Sequence, residues 1–232
     1  MLDAFYRKWR SKIRCQALAV LAAASLAVLS GCAAGLATKP SSSTPPPQPV
    51  DQEPSIARFE NGWEGFMIIE RAQLDDVSRS EFDRAVALFH EQDYEQAIDL
   101  LENVLKQLPG VTAPHINLGM AYQQVGNLEQ AEAQFIAALE LVPDHPVACN
   151  QYGMLLRKTG RFDEARKIYE QALARFPDYY PLHRNLGILY EFYLNDLPAA
   201  LGHYEIYGQA MQEDDKVKLW IADLRARIME TD

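Results

Sequence analysis

His115, Cys149 and His183 carry side chains that bind zinc, and they recur at an interval of 34 residues. A zinc centre needs its ligands within about 2.0–2.3 Å of one ion. The same interval separates Ala97, Ala131 and Ala165, and also Pro109, Pro143 and Pro177. A strict period of that length marks an array of two-helix units, each too small to bury its apolar face without a neighbour. Equivalent helices in such an array stand at least one interaxial spacing of about 8–10 Å apart, so no single ion reaches all three side chains. The spacing therefore predicts packing positions and no metal centre. His90, His145 and His203 show no partner spacing, and the chain has no Gly-x-Ser-x-Gly elbow, no phosphate loop and no His-Glu-x-x-His helix. Catalysis and bound cofactors have no support in the residues. A cryptic enzyme or metal protein would have to use Ile56–Asp76 or the final helix.

The elements that position these residues begin with an export signal. Arg7, Lys8, Arg10, Lys12 and Arg14 precede an apolar run from Ala17 to Leu29, which is short of the roughly 20 residues a membrane span needs. Leu29-Ser30-Gly31-Cys32 resembles the bacterial lipoprotein processing box, in which the cysteine is acylated and becomes the new N-terminus. Two or three acyl chains on one residue anchor stably, whereas one binds marginally. Ala33 follows where an aspartate favours inner-membrane retention, so the expected location is the periplasmic face of the outer membrane. Processing removes five of 22 basic and one of 32 acidic residues and leaves a formal charge of −14. Nucleic acid and anionic lipid demand positive charge, so neither is expected as the main partner. With Cys15 removed and Cys32 acylated, Cys149 stands alone and is expected to be buried.

Residues 32–54 hold the lipidated cysteine and a disordered linker, Ser41-Ser42-Ser43-Thr44-Pro45-Pro46-Pro47-Gln48-Pro49, whose composition buries no core. Residues 55–77, with Phe59, Trp63, Phe66, Met67, Ile68 and Ile69, read either as a cap on the first repeat or as a partner-binding segment. Helical periodicity dominates from Ser80. Asp93 and Asn127 have Gln96 and Gln130 three residues on, as helix N-caps do. Gly126 and Gly160 suit left-handed helix ends, and the three prolines close second helices. Val217, Trp220, Ile221, Leu224 and Ile228 predict a sealing helix over 214–232.

These residues resemble the tetratricopeptide repeat family. Leu118-Gly119, Tyr122, Ala131, Phe135, Ala138 and Pro143 match its signature in 112–145. Gly153, Ala165, Tyr169, Ala172 and Pro177 do so in 146–179. Residues 78–111 carry Ala85 in place of the glycine, and 180–213 keep Leu186-Gly187 and Tyr190 with Ala200 one residue late. That late residue predicts an altered loop near Tyr193–Asp196. The resemblance implies an all-α, right-handed solenoid of about four repeats (78–213) with a C-terminal capping helix, behind a signal peptide (1–31) and linker.

The family's groove positions fall on Asn117, Gln151 and Asn185, where an amide can bond a peptide backbone. Beside them stand Met120, Met154 and Ile188 as an apolar strip, and Arg157, Lys158 and Arg184 as positive charge for a carboxylate. Bracing of the fold competes with binding at the amide positions. The layout resembles pilotin-type lipoproteins of type IV pilus biogenesis. It implies a lipid-anchored periplasmic adaptor for envelope proteins or peptides, with no small-molecule substrate. A scaffold for peptidoglycan enzymes or a TonB-like energy-transducing complex is the alternative.

Overall fold

The computed structural model describes residues 55–58, 66–69, 74–212 and 214–231, all within one compact unit, Pro49–Asp232. The signal, Cys32 and the linker lie outside the described residues. Two strands come first: β1 (Ser55–Arg58) pairs antiparallel with β2 (Phe66–Ile69), Ile56 opposite Ile68. This hairpin departs from the all-α expectation, because β2 is a four-residue apolar run with no periodicity that separates strand from helix, and β1, Ser-Ile-Ala-Arg, carries one large apolar residue and no strand pattern. Phe59 and Trp63, two residues of the expected cap, lie outside the described residues.

Nine helices follow among the described residues. They are α1 (Asp76–His90), α2 (Tyr94–Gln107), α3 (Thr112–Gln124), α4 (Leu128–Leu141), α5 (Pro146–Lys158), α6 (Phe162–Arg175), α7 (Tyr180–Leu189), α8 (Leu197–Ala210) and α9 (Asp215–Thr231). Odd-numbered helices open repeats and even-numbered ones close them. α1 begins at Asp76, ahead of the periodic pattern, because Asp75 Oδ1 accepts from Ser78 N at 2.8 Å. Asp93 and Asn127 cap as the spacing predicts, accepting from Gln96 N and Gln130 N. Gly126 and Gly160 take φ of +82° and +80°, a region costly for residues with a Cβ. Gln92 and Asn195 occupy the corresponding places with φ of 68° and 54°.

Each full repeat packs a ring from its second helix onto a glycine of its first. A Cβ at Gly119, Gly153 or Gly187 would lie 2.6, 2.2 or 2.5 Å from the ring of Phe135, Tyr169 or Tyr204. All three rings are buried. The first repeat substitutes both sides of this contact: Ala85 replaces the glycine and the less bulky Leu101 replaces the ring.

The late Ala200 has its cause in Tyr190–Leu194, which form one π-helical turn. In the earlier corners Asn127 N donates to Tyr122 O and Arg161 N to Leu156 O, five residues back. Here Asp196 N donates to Tyr190 O, six back. A π turn is the form an inserted helix residue commonly takes. α9 seals the array, with Val217 and Leu224 buried and Trp220, Ile221 and Ile228 packed on the Tyr204 cluster.

Candidate partner-binding face

The first helices of successive repeats touch directly, α1 on α3, α3 on α5 and α5 on α7, while each second helix is lodged between first helices. The odd helices therefore form a layer of their own, and every groove residue named above sits on it. Close packing sets what each can offer. Asn117 Nδ2 donates to Ala113 O of its own helix at 2.8 Å. Gln151 and Asn185 are buried, and Asn185 Nδ2 donates to Asn150 Oδ1 at 2.7 Å, tying α7 to α5. Met120, Met154 and Ile188 are half-buried, and Met120 and Ile188 pack against core clusters.

The three cations differ. Lys158 is exposed. The Arg157 guanidinium lies 5.7 Å from the Tyr193 ring centre, and that of Arg184 lies 5.6 Å from Trp220. Both act on the Tyr204 hydroxyl, which donates to Glu191 Oε2 at 3.0 Å. Burial and Glu191 together raise the Tyr204 phenol above its ordinary range. The Glu191 side chain is 7% exposed and accepts from Arg227 Nη1 of α9 at 2.7 Å. A buried carboxylate in the π turn thus holds the last helix.

Sequence reasoning missed Asn150, although a polar residue where the previous repeat has Ile116 was a signal. It also missed Glu191 and Arg227, whose pairing links different elements and leaves no trace in a 34-residue period. Four histidines found unanticipated partners. His145 N-caps α5, its Nδ1 accepting from Val147 N and Ala148 N at 3.2 and 3.3 Å. His115 and His183 both bond the carbonyl of the proline six residues before, at 3.1 and 2.9 Å. Since Nε2 of His183 donates to Pro177 O, its Nδ1 is the acceptor for His203 Nδ1–H, 3.0 Å away. Burial lowers the pKa of both, His203 to about 4 with help from its neighbour. Cys149, at the corresponding position, is buried. Among the described residues no group of three or more His, Cys, Asp and Glu is placed to hold a metal ion, and no helix is long and apolar enough to cross a membrane.

Comparison with known proteins agrees with this architecture. Two family models, both described as tetratricopeptide repeat, match residues 110–178 and 147–205 and residues 80–110. The anaphase-promoting complex subunit CDC16 of Saccharomyces cerevisiae is 31% identical over 58% of this chain and 16% of its own length. Human protein O-mannosyl-transferase TMTC2 is 34% identical over 39% of this chain and 11% of its own. The chain thus spans a small part of these relatives. Among solved structures, one from a characterisation of Pseudomonas aeruginosa pilF aligns with a TM-score of 0.62 at 21% identity, covering 67% of this chain and 71% of that one. MamA from Desulfovibrio magneticus RS-1 aligns at 0.57 and 19%, covering 67% and 87%. At that identity the likeness is one of fold. Such arrays are non-catalytic scaffolds that mediate contacts between proteins. With models spanning residues 80–205, more than half of the 232-residue chain, it belongs to the tetratricopeptide repeat family.

Proposed function

We propose that this protein is a lipid-anchored adaptor on the periplasmic face of the outer membrane, which binds envelope proteins through its odd-helix face and helps to assemble a type IV pilus or secretin machine. The direct contact of α1, α3, α5 and α7 carries the reading, because it sets Asn117, Gln151 and Asn185, with Met120, Met154 and Ile188, at repeating positions of one layer. Of the three amides, Asn185 ties α7 to α5, and Asn117 is turned onto its own helix. Met120, Met154, Ile188, Arg157, Arg184 and Lys158 supply apolar and cationic contact to an extended or helical segment. Leu29-Ser30-Gly31-Cys32 supports acylation of Cys32, and the Ser/Pro stretch supports a tether of at most roughly 70 Å at about 3.1 Å per residue.

Crosslinking in membranes followed by capture tests both halves. Partners recovered with the wild-type chain are expected to be lost with Met154→Asp or Lys158→Glu, variants whose circular dichroism stays unchanged. Mass spectrometry is expected to show acyl chains on Cys32. Equal recovery with the groove variants refutes the binding face, and an unmodified Cys32 refutes the anchor.

A further inference from the structure

The outer face of α9 is apolar and open. Leu219 is 70% and Met229 78% exposed, and Ala222 and Ala226 between them are exposed as well. At about 100° per residue these four form one stripe, opposite the Val217 and Leu224 face that seals the repeats. α9 keeps the register of a repeat-opening helix, with Ala222 35 residues after Gly187, the same step that separates Asp215 from Tyr180. In α7 that position is covered by Tyr204, whereas in α9 it faces solvent.

The charges beside the stripe identify what covers it. Leu219, Ala222, Ala226 and Met229 occupy the a, d, a and d places of two heptads. Lys218 and Arg225 then fall at g, and Asp223 and Glu230 at e, all exposed. One edge of the seam is basic and the other acidic. When two parallel helices pair, each g residue meets the partner's e residue five places on. Lys218 then faces the partner's Asp223, and Arg225 faces the partner's Glu230. An antiparallel pair sets g against g and e against e, which opposes like charges. Within one chain these side chains make surface pairs: Lys218 with Asp215, Arg225 with Glu205, and Asp223 with Arg227. Exposed pairs of this kind are weak and exchange readily.

We infer that α9 is a self-association surface on which a second copy of this chain pairs in parallel, through Leu219, Ala222, Ala226 and Met229, under a two-fold axis along the helix. The residue pattern is self-complementary, as an isologous interface requires. A seam of two heptads is smaller than the roughly 1,200 Å² of stable complexes, so the dimer is weak and concentration-dependent.

Sedimentation equilibrium of the purified protein over a concentration series tests this. The wild type is expected to show a reversible monomer–dimer equilibrium that Leu219→Asp weakens by about tenfold or more. The all-acidic double variant Lys218→Glu/Arg225→Glu and the all-basic double variant Asp223→Lys/Glu230→Lys are each expected to be monomeric, and their equimolar mixture to form a heterodimer. That recovery excludes misfolding as the cause. A wild type monomeric throughout, a dimer indifferent to Leu219→Asp, or a mixture that stays monomeric overturns the inference.

Discussion

Protonation of His145 is expected to unlatch the start of α5. The ring is 3% exposed, and its Nδ1 lone pair accepts from two orphan amides of the first turn, Val147 N and Ala148 N. A proton on Nδ1 removes the acceptor, sets a donor against two donors and adds positive charge at a helix N-terminus. Burial accordingly lowers the pKa to about 4 from the 6.5 of an unperturbed histidine. The unfolded chain therefore binds more protons than the folded chain between those values, so stability falls as pH falls. The contribution is complete above about pH 6.5, declines as the pH drops, and is gone below about 4. A shift of that size corresponds to about 3 kcal/mol at 1.36 kcal/mol per unit. Urea unfolding followed by circular dichroism, on the wild type and His145→Asn from neutral pH to about 4.5, isolates the term. Asparagine is a favoured N-cap and does not titrate, so the variant is expected to match the wild type within about 1 kcal/mol at neutral pH. It is expected to lose about 2–3 kcal/mol less on acidification. His183 and His203 titrate in both proteins and cancel in the difference. Parallel acid limbs for the two proteins refute the reasoning.

Three further outcomes are expected. Gly153→Ala drives a methyl into the buried Tyr169 ring, 2.2 Å from the ideal Cβ position, and costs about 1–3 kcal/mol or more in chemical denaturation. Gly202→Ala, inside α8 and with nothing beyond its own helix backbone and chain neighbours within 4 Å of the added Cβ, is instead expected to stabilise by up to about 1 kcal/mol. Arg227→Ala leaves the Glu191 carboxylate with Tyr204 alone, and loss of about 1–3 kcal/mol is expected to show as faster amide exchange in α9 before the other helices. The Cys149 thiol, buried and with its pKa pushed up to about 12 chiefly by that burial, is expected to resist alkylation in the native protein and react on unfolding, as read by peptide mass spectrometry.

Much of this architecture is legible in one dimension because each repeat solves the same packing problem with the same parts. Gly119 and Phe135, or Gly153 and Tyr169, stand 16 residues apart in both repeats, and the prolines stop each second helix at one distance beyond. The site is less legible. Whether an amide such as Asn185 serves a ligand or the fold depends on what lies across the helix boundary, and its partner Asn150 occupies a different repeat position. His145 escaped notice as a cap because imidazole does so only when burial keeps it neutral. The β1–β2 hairpin escaped because the four apolar residues of β2 fit either kind of element and the Ser-Ile-Ala-Arg of β1 shows no strand pattern.

The extra residue in the Tyr190–Leu194 turn leaves the contact between Gly187 and Tyr204 as close as its counterparts, although 17 residues now separate the two where 16 did before. Contour length and packing are uncoupled at that corner. Evolution can add or drop a residue there at the expense of one altered helical turn and without re-cutting the interior. The periodicity of the chain is thus a property of its contacts, which tolerate an uneven thread between them.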